Sequence, residues 1–304
     1  MARGIEFISN REGAFELKGI ILAGGVATRL RPASLAVSKQ LMPVYDKPLI
    51  YYPLTSLMLS GLREILLITS PKQLENFKEL FKNSSKWGIN LSFAVQDNPN
   101  GIAESLLIGD KFLKGSSATV ILGDNLFHGY GLGRSLQADF QGVGAQIFAY
   151  KVQNPTDFGV VEFQKNGKVK SIEEKPAQPK SQWAIPGIYL YDASASERAK
   201  ELKVSNRGEL EITDLNNSYL KDDMLSVKIL PRGTVWLDMG SPSSLLQASQ
   251  YISTIQERQG VLVGSPEEAA WVMGWINTDQ LLELSMSLGK SEYAKRLEQL
   301  LNFE

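Results

Sequence analysis

Cysteine is absent from the 304-residue chain, which excludes disulfides, thiolate catalysis and a cysteine-held zinc. A single histidine, His128, excludes a multi-histidine metal centre. No apolar run reaches the ~18–20 residues of a membrane span, and residues 1–17 lack the long apolar core of a secretory leader. Lysine plus arginine nearly cancel aspartate plus glutamate, 32 against 33. The surface as a whole therefore carries no excess charge for nucleic acid or an anionic membrane. The G-x-G-x-x-G fingerprint of a dinucleotide site is missing, which disfavours a Rossmann oxidoreductase. No linker rich in Gly, Pro or Ser divides the chain, and there is no internal repeat. These absences lead to the expectation of a cytoplasmic protein with one large domain, in which any ligand charge is met locally.

Short apolar runs alternate with amphipathic ones through the first half. Residues 20–23, 64–69, 91–95 and 118–122 read as buried strands, and 50–59, 73–81 and 102–108 as helices. This alternation predicts a mostly parallel sheet covered on both faces, with right-handed crossovers. Strands then dominate at 146–151, 159–163, 169–172, 184–191, 225–230 and 234–237, with Asn166-Gly167 as a hairpin turn. Helices are expected at 198–202 and 212–220. Beyond residue 243 the pattern is helical, at 245–259, 266–275, 278–287 and 292–301. Trp271 and Trp275, four apart, are expected on one helix face, packed on the core or against a subunit neighbour. The chain thus reads as a polar extension (1–17), a catalytic domain (18–242) and a C-terminal helical subdomain (243–304).

In such sheets ligands bind outside the C-terminal strand ends. Three of these ends carry polar residues: Gly24-Gly25, Gln96 followed by Gly101, and Asp124. The first leads into a loop bearing Thr28, Arg29 and Arg31, with Lys39 further on. Adjacent glycines expose backbone N–H groups to an anion. Arg29 and Lys39 together bring more positive charge than a pyrophosphate needs, and suit a triphosphate.

The whole run is more specific than its parts. Gly24-Gly25-Val26-Ala27-Thr28-Arg29-Leu30-Arg31-Pro32, then Ser38-Lys39-Gln40-Leu41-Met42-Pro43, resembles the signature G-G-x-G-T-R-L-x-P…K-Q of the sugar-1-phosphate nucleotidylyltransferases. Tyr45-Asp46-Lys47-Pro48 and the residues up to Leu54 are similar to the glucose-1-phosphate thymidylyltransferase branch of that family. So is Glu173-Glu174-Lys175-Pro176, which matches its E-E-K-P element. Phe158-Gly159-Val160-Val161-Glu162 and Arg207-Gly208-Glu209-Leu210-Glu211-Ile212-Thr213-Asp214 are also retained.

The resemblance implies a three-layer α/β/α, Rossmann-like nucleotidyltransferase fold with a mixed, mostly parallel central sheet. It also implies a Mg²⁺-dependent reaction of dTTP with α-D-glucose 1-phosphate that yields dTDP-glucose and pyrophosphate, toward deoxysugars such as rhamnose. Asp124 and Asp238 would hold the metal. Arg29 would meet the β- and γ-phosphates, Lys39 the α-phosphate or sugar phosphate, and Lys175 the sugar phosphate. Substrate contacts are implied at Gly24, Ala27, Thr28, Gln40, Asp124, Gly159, Glu174 and Ile185, with Gln96 and Gly101 at the base. A homotetramer is implied for the long form of the family.

Four positions depart from the pattern. Ala27 stands where the signature has glycine, Val26 where it has a small polar residue and Met239 where it usually has threonine, and Pro186 in Ala184-Ile185-Pro186-Gly187 replaces a threonine. With the other signature residues retained, Ala27 is expected at negative φ in an adapted neighbourhood. UTP or another sugar phosphate as substrate, and a non-catalytic nucleotide-sugar sensor, stand as alternatives.

Overall fold

The computed structural model describes residues 15–137 and 139–301. The first strands in chain order are β1 (Leu17–Ala23), the short β2 (Pro43–Val44) and β3 (Lys47–Pro48), β4 (Glu64–Thr69), β5 (Asn90–Val95) and β6 (Ser117–Leu122). β1 begins one residue inside the expected N-terminal extension; residues 1–14 lie outside the described residues.

Strands β6, β1, β4 and β5 lie side by side in that order, all parallel. Their side chains alternate between two cores. Ile20, Leu66, Ile68 and Val120 face one, while Ile21, Ile65, Leu67 and Ile121 face the other. Burial on both faces explains why these strands are almost unbroken apolar runs. The first-half helices are α1 (Tyr51–Leu59), α2 (Leu74–Leu80), α3 (Glu104–Ile108), α4 (Asp110–Leu113) and α5 (Leu132–Gln137). The second half contributes α6 (Ala195–Lys200), α7 (Ile212–Lys221), α8 (Pro242–Gln259), α9 (Pro266–Val272), α10 (Thr278–Ser287) and α11 (Glu292–Leu300). Helices α3, α4, α6 and α7 cover one face, and α1, α2, α9, α10 and α11 the other, which gives three layers.

The later strands are β7 (Asn125–His128), β8 (Ala145–Lys151), β9 (Gly159–Phe163), β10 (Val169–Glu174), β11 (Trp183–Ile185), β12 (Ile188–Tyr191), β13 (Leu225–Ile229) and β14 (Val235–Asp238). β12 joins the parallel block by antiparallel pairing with β6. The sheet then runs on through β8, β11, β9 and β10, with β13 parallel to β8. The single strand expected at 184–191 is two strands. Pro186 has no N–H for a ladder, and the Ile188 amide turns back onto the Pro186 carbonyl at 2.7 Å. β7, which the sequence pattern did not suggest, pairs with β14 in a ribbon outside the main sheet.

Trp271 and Trp275 both pack against the core, as expected, but not on one helix face. α9 ends at Val272, and Gly274 at φ 68° turns the chain out of the helix. Trp271 donates its indole N–H to Thr278 at 3.3 Å, whereas the Trp275 ring lies 5.3 Å from the Arg63 guanidinium. The C-terminal helices are tied to the β2–β3 hairpin by buried Lys47. Its Nζ donates to Gln256 Oε1 of α8 at 3.0 Å and the Val263 carbonyl at 3.1 Å, and pairs with Asp46. Among the described residues no helix is long and apolar enough to cross a membrane.

Candidate active site

The parallel registers align Ala23 with Thr69 and Thr69 with Val95, so β1, β4 and β5 end at one level. Gly24 and Gln96 follow directly. β6 ends at Leu122, the partner of Leu22. The Gly123 amide then donates to the Leu22 carbonyl at 2.9 Å, which sets Asp124 beside the glycine loop.

Asp238 reaches the same place through the β7–β14 ribbon. It pairs with Asn125 in the register, and the Met239 amide donates to the Asp124 carbonyl at 3.1 Å. The two carboxylates are therefore neighbours although 114 positions separate them in sequence, 238 less 124. Burial, and then the charge of Asp124, push the Asp238 carboxyl up to about 6, against the opposing pull of Lys39 and Arg29. Lys39 Nζ pairs with Asp124 Oδ2. The other oxygen, Oδ1, accepts from Asn125 Nδ2 at 2.9 Å. The Asn125 amide is in turn fixed by donors to its Oδ1, the Gly187 amide at 3.2 Å and the Trp236 indole at 2.5 Å. Arg29 also lies against this centre. A Cβ on Gly240 would stand 2.7 Å from an Arg29 guanidinium nitrogen and 2.9 Å from Asp238 Oδ2, so only glycine lets both approach.

The loop holding Arg29 is shaped by Ala27. Contrary to the sequence expectation, Ala27 is left-handed, with φ 45° and ψ 47°, and starts the 3₁₀ turn Thr28–Leu30. Its carbonyl accepts from Leu30 N at 3.0 Å and Ser34 Oγ at 2.8 Å. These bonds reward the reversed turn and outweigh the ~1 kcal/mol that an L-residue loses there. Gln40, 2% exposed, holds the other side of the loop by donating to the Gly24 carbonyl at 3.3 Å.

Beside Gly24, Gln96 donates from Nε2 to the Gly101 carbonyl at 3.2 Å and to Glu104 Oε2 at 2.6 Å. Gly101, at φ 108°, lies tight against Leu210: an added Cβ would fall 2.3 Å from the Leu210 carbonyl oxygen. Leu210 N donates to Asn100 O at 2.6 Å, and Ala103 N to Leu210 O at 3.2 Å.

The sheet registers place Gly159 opposite both Glu174 and Ile185. Glu174 Oε2 accepts from Thr213 Oγ1 at 2.5 Å. Its Oε1 has Arg207 at 3.4 Å and the Lys175 ammonium at 3.8 Å. Lys175 is itself left-handed, at φ 42°, held by its amide's bond to the Phe158 carbonyl at 3.1 Å. Sequence reasoning used Arg207 only as part of a motif and did not single out Asn125, Glu104, Thr213 or Gly240. Of these, Asn125 carried a signal, in its position directly after Asp124.

A family model described as nucleotidyl transferase matches residues 18–255. The chain is 50% identical over 286 residues to glucose-1-phosphate thymidylyltransferase of Neisseria meningitidis, covering 94% of this chain and 99% of that one. It is 50% identical over 288 residues to the enzyme of the same name from Mycolicibacterium smegmatis, covering 95% of this chain and 100% of the other. Among solved structures, a candidate glucose-1-phosphate thymidylyltransferase from Bacillus anthracis, in complex with sucrose, superposes with TM-score 0.72 at 37% identity. That match covers 78% of this chain and 95% of the other. UDP-glucose pyrophosphorylase complexed with UDP-glucose superposes with TM-score 0.68 at 22% identity over 80% of this chain and 100% of that one, a likeness of fold.

Proposed function

The chain belongs to the nucleotidyl transferase family, and from that premise we propose that it transfers a thymidylyl group from dTTP to glucose 1-phosphate, giving dTDP-glucose and pyrophosphate. The observation that carries the reading is the meeting of Asp124, Asp238, Lys39 and Arg29 beside the glycine loop at the ends of the parallel strands.

Each group has a role in this reading. Backbone N–H groups of the Gly24–Thr28 loop and the Arg29 guanidinium hold the β- and γ-phosphates, where charge builds on the leaving pyrophosphate. Lys39 meets the α-phosphate. Lys175 and Arg207 hold the phosphate of glucose 1-phosphate, and Glu174 accepts from sugar hydroxyls. Gly159 leaves room for the ring: a Cβ there would stand 3.4 Å from Glu174 Oε2. A sugar-phosphate oxygen then attacks the α-phosphorus as the bond to the β-phosphate oxygen breaks. No covalent enzyme intermediate and no proton transfer are needed, so positioning and charge neutralisation do the catalysis.

The donor set fits Mg²⁺. Asp124 and Asp238 are adjacent carboxylates, burial and then the charge of Asp124 raise the Asp238 carboxyl, and two carboxylates plus substrate phosphates are the usual magnesium environment. Bound there, the ion would neutralise the phosphates and polarise the α-phosphoryl group. A homotetramer and a cytoplasmic setting belong to the same proposal by family analogy.

The test is pyrophosphate release with dTTP, UTP and dCTP against glucose, galactose and mannose 1-phosphates. The highest kcat/KM is expected for dTTP with glucose 1-phosphate. UTP shows the same imide edge and is the nearest competitor. Binding of dTTP without pyrophosphate release from any pair would establish a sensor instead.

A further inference from the structure

Resting on that thymidylyl-transfer reading, we infer that Glu104 is a positioning residue that selects the pyrimidine by locking the amide of Gln96 in one orientation. Gln96 follows β5 and is 5% exposed. Both partners of its Nε2, the Gly101 carbonyl at 3.2 Å and Glu104 Oε2 at 2.6 Å, are pure acceptors. An amide oxygen turned toward them would face two oxygens, so the amide cannot flip. Glu104 is held in turn by Asn100, whose Nδ2 donates to Oε1 at 2.8 Å.

The consequence falls on Gln96 Oε1. It points toward the glycine loop, 2.8 Å from where a Cβ of Gly24 would stand, and among the described residues no donor meets it. It is a committed acceptor. Thymine and uracil present an N3–H donor on the Watson–Crick edge. Cytosine presents a bare N3, whose lone pair would oppose Oε1. A site built to accept a hydrogen bond from N3 disfavours a base whose nearest donor, the N4 amino group of cytosine, stands elsewhere on the edge. A neutral amide at position 104 could offer either an oxygen or an NH₂ to Gln96. Gln96 would then be held by the Gly101 carbonyl alone, and turning its NH₂ toward the base to pair with cytosine would forfeit one hydrogen bond instead of two. The carboxylate, an acceptor only, removes that option.

The experiment compares the wild type with Glu104→Gln, a change of one atom that keeps shape and reach. Pyrophosphate release gives kcat/KM for dTTP and dCTP with glucose 1-phosphate, and calorimetry gives the Kd of dTDP and dCDP. In the variant the thymine-to-cytosine preference should fall about tenfold or more in both measurements, through weaker thymidine and stronger cytidine binding. At saturating dTTP, kcat should stay within about threefold, because the phosphate groups are untouched. A loss of general packing would weaken both nucleotides alike and leave the ratio unchanged. That result, in either measurement, overturns the role of Glu104. Absence of pyrophosphate release by the wild type would instead overturn the thymidylyl-transfer reading, while the dTDP-to-dCDP ratio would still decide whether Glu104 orients Gln96.

Discussion

Ala27 is the residue at which sequence reasoning and structure part most clearly. A methyl group in place of the signature glycine suggested an adapted, negative φ. The backbone instead keeps the left-handed turn, with φ 45°, and the alanine bears the cost. Ala27→Gly should therefore relieve ~1 kcal/mol of strain, partly offset by greater freedom of the unfolded chain, for a net gain of about 0.5 kcal/mol. Denaturant midpoints should rise slightly, and kcat/KM for dTTP should be kept or improved as the loop relaxes. A loss of about 0.4–1 kcal/mol, the ordinary effect of Gly for Ala at negative φ, would contradict the geometry.

The carboxylates call for a different substitution. Asp124→Asn and Asp238→Asn each remove an anion while keeping the shape. In the reaction proposed, each should lower kcat by about a hundredfold or more. Asp238→Asn should not lower Tm, because burial and Asp124 already disfavour the ionised side chain. Near-normal turnover at limiting Mg²⁺ in either variant would remove that residue from the metal site.

At the scale of elements, legibility followed the range of the interactions. β4 and β9 were readable residue for residue because their patterns are local and apolar. β7 was not. Asn125–His128 is a strand because Val235–Asp238 pairs with it from more than a hundred positions away. The same ribbon carries Asp238 to Asp124, so sequence motifs could name both carboxylates but not the ladder that joins them. Likewise, Gln96 was visible at a strand end, while Glu104 emerged only from its hydrogen bonds.

Helix α9 yields a pH prediction. Glu268, in its first turn, is pushed up to about 7 chiefly by burial, with the Lys47 charge and a Leu262 backbone hydrogen bond opposing. The folded value lies above the unfolded value of about 4.3. Glu268 therefore favours the fold most at low pH, and that contribution fades as pH rises through about 7. Glu268→Gln cannot ionise. Relative to the wild type, it should gain ~1–3 kcal/mol in stability between pH 5 and pH 8, less than a fully shielded carboxyl would show. Denaturation at the two pH values checks this, and a relative loss at pH 8 would mean that the attraction of the Lys47 charge outweighs burial.

On the scale of the whole molecule, backbone hydrogen bonds tie the turn beside Gln96 to the segment beside Glu174. The Asn100–Ala103 turn, beside Gln96, exchanges backbone hydrogen bonds with Leu210 in both directions, at 2.6 and 3.2 Å. Leu210 belongs to the segment that brings Arg207 within 3.4 Å of Glu174, to which the proposed function gives the sugar. Gly101 sits at the junction, where a Cβ would fall 2.3 Å from the Leu210 carbonyl oxygen, a backbone atom that no rotamer change can move. Gly101→Ala must also hold alanine at φ 108°, a conformation with a cost of order 1–3 kcal/mol. The turn and the 205–211 segment should therefore separate together. Although the proposed function puts Gly101 on the nucleotide side, the variant should raise KM for glucose 1-phosphate as well as for dTTP, each by about tenfold or more. Circular dichroism should be unchanged, because Leu210 lies outside the sheet and helices. If KM for glucose 1-phosphate, measured at saturating dTTP, stays at the wild-type value, the turn and the segment respond independently and the backbone exchange at Leu210 carries no coupling.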